Sequence, residues 1–290
     1  MKTAGKKRPS LRMWVQVIFT ALTNGYLIGY FEGRIYQGAS KKLCVPGLNC
    51  YSCPGAIGSC PIGSLQAVLG SRDYKFSFYV IGFLMVTGSL MGRVVCGWLC
   101  PFGLVQDFVY KIPFIRKIKK VPFDKQLRYL KYVILVVFVI GLPLLLHDFS
   151  GTGSPWFCKT ICPSGTLLAG IPLVASNPDL QAAVGFLFGW KMGILILILV
   201  LSILIYRPFC KYICPLGAIY GLFNKYSLYR FEIDESKCIH CGLCHEKCDM
   251  GIKVYENPNS PECIRCGECR KVCPTGAIKT TLSYLNKEES

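Results

Sequence analysis

Four apolar runs, at 13–31, 76–95, 130–147 and 184–206, constrain this chain more than any other feature of its sequence. Each is long enough for a helix to cross a hydrocarbon core about 30 Å thick, which takes roughly 17 to 25 residues. With 52% of its 290 residues hydrophobic the chain is too apolar for an ordinary soluble domain, yet 33 Lys and Arg stand against 16 Asp and Glu. That combination points to a membrane protein with basic flanks. The first run follows "KKRPSLR" as in a signal peptide, but no small-residue cleavage site follows, and it reads as an uncleaved anchor. Four spans return both chain ends to one side. Lys and Arg number five before the first run, seven from 96 to 129 and four from 207 to 230, against five and one in the loops 32–75 and 148–183. The positive-inside rule then predicts a multi-pass cell-membrane protein with both termini in the cytoplasm. Basic runs such as "RKIKK" read as cytoplasmic retention signals and anionic-lipid contacts, with no nucleic-acid role. Trp14, Trp98, Trp156 and Trp190 fall near span ends, as an interfacial belt would place them.

Eighteen cysteines would signal a disulfide scaffold in a small secreted chain. Here they come in short-spaced clusters within a large apolar chain, which favours metal or iron–sulfur ligation. From about residue 229 the sequence turns polar and carries "CIHCGLCHEKCD" and "CIRCGECRKVCP", two C-x2-C-x2-C-x3-C runs. This is the spacing of a bacterial two-cluster ferredoxin, in which a tight loop wraps three corners of an Fe4S4 cube and the fourth cysteine of each run reaches the other cluster. Paired C-x2-C motifs also build tetrahedral zinc sites, but two successive four-cysteine runs are the more specific signal. The tail therefore resembles a two-[4Fe-4S] ferredoxin domain of α+β type. The resemblance assigns Cys238, Cys241, Cys244 and Cys273 to one cluster and Cys263, Cys266, Cys269 and Cys248 to the other. Asp249 stands where a proline usually follows the fourth cysteine, which alters the surroundings of a cluster and not its ligation.

The tetrapeptide C-P-x-G recurs at Cys60, Cys100, Cys162 and Cys214, and again in the tail at Cys273. Three of the membrane copies carry another cysteine four residues upstream, in "CGWLCP", "CKTICP" and "CKYICP". That spacing can direct two thiolates to one face of a helical turn. Buried thiols are often simple small apolar groups, but generic packing does not account for four copies of one tetrapeptide at helix ends. Cys96 and Cys100 follow the second span and Cys210 and Cys214 follow the fourth, so all four are expected at cytoplasmic helix ends as one [4Fe-4S] site. Cys158 and Cys162 fall on the opposite side, where Cys60 and Cys53 complete an outer site, with Cys50 fitting almost as well as Cys53. Alternatively, Cys44, Cys50, Cys53 and Cys60 form a self-contained site and leave Cys158 and Cys162 as a redox-active couple.

With its basic amino terminus, its helices leading to C-x3-C-P and its terminal ferredoxin runs, the chain resembles the membrane polyferredoxins of the NapH, NosR and CcoG type. The resemblance implies membrane electron transfer between quinol or cytoplasmic donors and an extracytoplasmic redox partner, plausibly a flavoprotein. It implies an electron-transfer component of an oxidoreductase system in place of a self-contained enzyme. The expected architecture is a transmembrane iron–sulfur domain at 1–228 followed by a ferredoxin domain at 229–290, holding about four [4Fe-4S] clusters that pass electrons in series. A quinol dehydrogenase and a thiol–disulfide relay are the competing readings. His147, His240 and His245 are the only histidines, which excludes a bis-histidine haem within this chain, and neither a G-x-G-x-x-G fingerprint nor a P-loop is present.

Overall fold

The computed structural model describes residues 11–71, 77–113, 117–119, 121–146 and 153–281. The basic stretch before residue 11, part of "RKIKK", His147 and the tail after 281 lie outside the described residues.

The architecture is mostly helical. Among the described residues two helices are long and apolar enough to cross a membrane, Asp124–Leu145 and Phe186–Leu204, and only 28% and 17% of their apolar windows are covered by the rest of the chain. Apolar faces so bare are costly in water and inexpensive in lipid, which argues for a membrane setting. The other two expected spans are shorter. Leu11–Thr23 has 13 residues and Ser77–Met91 has 15. At 1.5 Å per residue they rise about 20 and 23 Å, so among the described residues two of the four expected spans reach full length. The first run breaks because the Asn24 amide and the Thr23 hydroxyl bond back to Thr20 O and Phe19 O, and the chain resumes as Ile28–Glu32. The second turns at Gly92, whose φ of 53° favours glycine, and restarts as Val94–Trp98. A further apolar helix, Pro163–Ser176, was not among the expected spans.

Two helices carry π turns, at Leu135–Gly141 and Thr166–Gly170, just ahead of Pro143 and Pro172. A proline inside a helix lacks an N–H and crowds the carbonyl one turn back, and a widened turn relieves both.

In the C-terminal lobe, β1 (Phe231–Ile233) pairs antiparallel with β2 (Ile278–Thr280), Phe231 opposite Thr280, and closes the two cysteine runs between its strands. The lobe is fastened to the helices by buried charge. Glu262 accepts from Arg93 Nη1 at 3.0 Å and from Lys131, both cations being fully buried. Arg265, 1% exposed, reaches Met91 O at 3.1 Å and Ser227 Oγ at 2.7 Å, while Trp98 Nε1 donates to Arg265 O at 3.0 Å. A Cβ on Gly97 would lie 2.2 Å from Ile264 O, so only glycine lets the lobe approach this closely.

Glu262→Ala strands Arg93 and Lys131 without their carboxylate, a loss of about 3–5 kcal/mol that raises the undocked population a hundredfold or more. Trypsin should then cut rapidly at exposed Lys225, between helices and lobe. Wild-type cleavage rates in this variant would mean that Arg265 alone holds the lobe. Burial raises the Glu262 carboxyl, but Arg93 and Lys131 outweigh it and hold the group below its usual value. Its contribution is therefore present above about pH 4.3 and is lost as the pH falls through the depressed value, which Trp98 fluorescence should report as weakened docking in acid only.

Candidate metal centres

Each membrane C-P-x-G begins a helix. Cys60, Cys100, Cys162 and Cys214 are extended N-cap residues and the following prolines take the first helical position, leading into Pro61–Leu69, Pro101–Tyr110, Pro163–Ser176 and Pro215–Phe223. Proline suits that position because its missing N–H would have had no helical partner. The next free amides lie toward the thiol: Gly217 N donates to Cys214 Sγ at 3.4 Å, and the Gly63, Gly103 and Gly165 amides favour the thiolates of their own cysteines. A helix N-terminus favours the thiolate form that iron requires.

The cysteines Cys96, Cys100, Cys210 and Cys214 form the inner set, all buried, from two arms that mirror each other. Arg93 and Arg207 each stand three residues before the first cysteine of an arm, and each crosses to the other arm. Arg93 Nη2 donates to Cys210 O at 2.9 Å and Arg207 Nη1 donates to Cys96 O. The motif glycines make room for them, since a Cβ on Gly103 or Gly217 would meet the opposing guanidinium at 3.1 or 3.2 Å. Gln106 closes the set: Nε2 donates to Cys210 Sγ at 3.2 Å, while Oε1 accepts from Phe209 N at 3.2 Å.

Charge is balanced around this set. Arg93 and Lys131 share Glu262, and Arg207 and Arg12 share Asp107 at 2.6 and 2.5 Å, so each triad has two cations and one anion. The surroundings therefore contribute two net positive charges. Burial works against ionising Asp107, but Arg207 and Arg12 hold its carboxyl below the usual range. Burial and then Cys210 and Cys96 push the Cys100 thiol up to about 12, so four bare thiolates are not stable here. An Fe4S4 core with four thiolates carries about −2 when oxidised, which two positive charges match. The donor set fits that group.

Across the fold, Cys50, Cys60, Cys158 and Cys162 line one cavity of about 330 Å³, far beyond the roughly 30 Å³ a water occupies. This outer set repeats the construction of the inner one. Gln66 Nε2 donates to Cys158 Sγ at 3.2 Å and Oε1 accepts from Phe157 N at 2.9 Å, as Gln106 does for Cys210 and Phe209. Burial and then Cys162 push the Cys50 thiol up to about 12. No guanidinium is built in here; Lys191, which donates to Cys158 O at 3.2 Å, and Lys159 line the cavity instead. Cys53 sits apart from this set, fully buried, its Sγ 3.0 Å from the Tyr30 hydroxyl. Cys44 lies in a different recess beside Ser64 and Tyr79. Spacing alone favours Cys53 slightly over Cys50 for this site; the chain after Gly47 instead presents Cys50 to the cavity and turns Cys53 toward Tyr30.

In the C-terminal lobe Cys238, Cys241, Cys244 and Cys273 line one small recess. Cys263, Cys266, Cys269 and Cys248 form the second set, where burial and then Cys266 and Cys248 push Cys263 up to about 12. Asp249 lines a cavity beside this set with Arg12 and Lys247. His245 Nδ1 pairs with Ile252 O at 3.0 Å and His240 packs edge-on against Tyr255, so both are engaged locally. Among the described residues no three His, Cys, Asp or Glu side chains converge tightly enough for a single metal ion. Zinc bound to sulfur at about 2.3 Å needs that convergence; a four-iron cube held by its corners does not.

The 4Fe-4S binding domain family matches residues 75–122, 132–173 and 187–233, and a second family of the same description matches 231–253 and 259–279. Two uncharacterized proteins of Methanocaldococcus jannaschii, MJ0749 and MJ0750, are 33% and 32% identical to this chain over 61% and 62% of its length, covering 60% and 68% of their own. The ferredoxin-type protein NapH of Haemophilus influenzae is 30% identical over 58% of this chain and 50% of its own length. Proteins named NosR and MauN are also similar. The chain belongs to this ferredoxin-type 4Fe-4S family. It spans 60% of the length of MJ0749, and no solved structure matches it.

Within this ferredoxin-type chain, the residues that sequence reasoning missed are Arg93, Arg207, Gln66 and Gln106. Their signal was available: R-x-x-C-x3-C-P-x-G occurs twice, and C-P-x-G-x-x-Q occurs at Cys60 and Cys100. Replacing Gln106 by Leu leaves the Phe209 amide buried without an acceptor and should lower stability by about 1–3 kcal/mol. Thermal unfolding followed by tryptophan fluorescence should show the drop, and an unchanged midpoint would mean the glutamine only fills space.

Proposed function

We propose that the chain is an electron wire in a membrane, with four [4Fe-4S] clusters in series. Two are held in the C-terminal lobe by Cys238, Cys241, Cys244 and Cys273 and by Cys248, Cys263, Cys266 and Cys269. An inner one is held by Cys96, Cys100, Cys210 and Cys214, and an outer one by Cys50, Cys60, Cys158 and Cys162. The observation that carries the reading is that 16 of 18 cysteines fall into four sets of four, leaving only Cys44 and Cys53. Each cluster would take up and release one electron, and the protein's part is to bind, shield and charge-balance it. The positive-inside count supports a cytoplasmic lobe receiving electrons and an outer set facing an extracytoplasmic redox partner, plausibly a flavoprotein.

A second reading is favoured by one observation. Gln16 is 1% exposed, neither atom of its amide has a hydrogen-bond partner, and it lines a cavity of about 240 Å³ together with Cys248 and Cys266. A buried amide without partners costs about 1–3 kcal/mol unless something fills the site. A quinone head group, with carbonyls to accept and hydroxyls to donate, would satisfy it and make the chain a quinol-linked electron carrier.

Anaerobically prepared protein is expected to hold roughly 16 iron and 16 acid-labile sulfide per chain; a reproducible value near eight removes the membrane clusters from the proposal. Cys100→Ser and Cys214→Ser should lose the same spectroscopic signal, and Cys50→Ser should lose another that Cys53→Ser keeps. In sealed, oriented vesicles, reductant at the lobe should reduce an impermeant acceptor on the far side, and Cys162→Ser should stop this while the lobe stays reducible. If electrons instead enter from added quinol and Gln16→Leu blocks them, the second reading replaces the wire.

A further inference from the structure

A single residue, Leu48, lies between the inner and outer cysteine sets. Leu48 is 2% exposed and lines the outer cavity, and its carbonyl accepts a hydrogen bond from Ser164 Oγ at 3.2 Å. Ser164 is itself 1% exposed and stands two residues after Cys162, toward whose sulfur its own amide points. On the other side the same loop rests on the inner set. A Cβ on Gly47 would fall 3.2 Å from Cys100 Cα and 3.1 Å from Pro101 Cδ, and the Leu48 amide faces the Cys100 sulfur. The loop is also pinned at Pro46, whose carbonyl accepts from the Tyr220 hydroxyl at 3.1 Å. A string of hydrogen and covalent bonds therefore runs from Cys162 through Ser164 to Leu48 and along the backbone to Gly47, which packs directly on Cys100.

We propose that the Leu48 peptide and the Ser164 hydroxyl form the bridge by which an electron passes between the inner and outer cysteine sets. The inference rests on the four-cluster reading above. Tunnelling decays less steeply along covalent and hydrogen bonds than across van der Waals gaps, and this string has a single short one, where Gly47 meets Cys100. One electron leaves the cluster on one set and one enters the cluster on the other; no bond is made or broken and no proton is transferred.

The test follows electron arrival at the outer set by freeze-quenched EPR after photoreduction of the lobe in full-length, iron-loaded protein. Ser164→Ala should slow arrival at least severalfold with iron content and both membrane signals intact, and Ser164→Thr, which keeps the hydroxyl, should restore it. Gly47→Ala acts from the inner side, where its Cβ pushes the loop off Cys100. It should slow arrival as well and speed hydrogen exchange at the buried Leu48 amide in iron-free protein. If Ser164→Ala sheds outer iron, Gly47→Ala decides the matter. Wild-type rates in Ser164→Ala and Gly47→Ala with all clusters present overturn the bridge. Wild-type protein holding only half the expected iron overturns the four-cluster reading instead.

Discussion

Four cysteine sulfurs cannot be gathered in a protein interior as thiolates unless something nearby carries the opposite charge, and the rest of this structure is arranged around that constraint. The inner set meets it with two buried triads, Arg93 and Lys131 on Glu262 and Arg207 and Arg12 on Asp107. These are also the joints of the fold. Glu262 belongs to the C-terminal lobe, Lys131 to the long helix Asp124–Leu145, and Arg12 to the first helix, so balancing the charge of the site fastens three remote segments to it. Buried ion pairs are weak sources of net stability, and their presence here is better explained by the site they surround.

The backbone serves the same end more locally. Placing each C-P-x-G cysteine at a helix N-cap aims free amides at its sulfur, and the glycine lets a guanidinium or another sulfur come close. Because the arms are repeats, the inner set has a near two-fold arrangement in which each arginine reaches across to the opposite arm. The outer set reuses the glutamine device through Gln66 and lacks the arginines, with lysines lining its cavity instead. One construction thus appears in two electrostatic settings.

The membrane portion is less regular than a bundle of full spans. Two long helices present bare apolar faces, while the 13- and 15-residue helices stop where polar side chains and Gly92 redirect the chain. Those breaks place Arg93 at the head of the Val94–Trp98 turn, where it can reach Cys210. Continuing the second helix straight through Arg93 would carry its side chain away from the opposite arm.

Local spacing was legible from the start. Two runs of C-x2-C-x2-C-x3-C and the repeated C-P-x-G identified the cysteine sets of the lobe and the two arms of the inner set, because those patterns fix distances within one or two turns of chain. Hydropathy likewise located the two long helices, since length and apolarity are properties of a contiguous run. The choice between Cys50 and Cys53 was beyond that reach: it depends on which thiol a turn points toward Cys158 and Cys162, more than a hundred residues away. So were the breaks after Thr23 and at Gly92, which hydropathy averaging cannot see. The partners of Arg93 and Arg207 lie across the fold for the same reason. By itself the sequence determined which residues could ligate and where helices could begin, through covalent spacing and helix-start chemistry. Only the tertiary structure decided which cysteines meet and which charges stand beside them, because burial and charge balance are settled between segments that the chain order keeps apart.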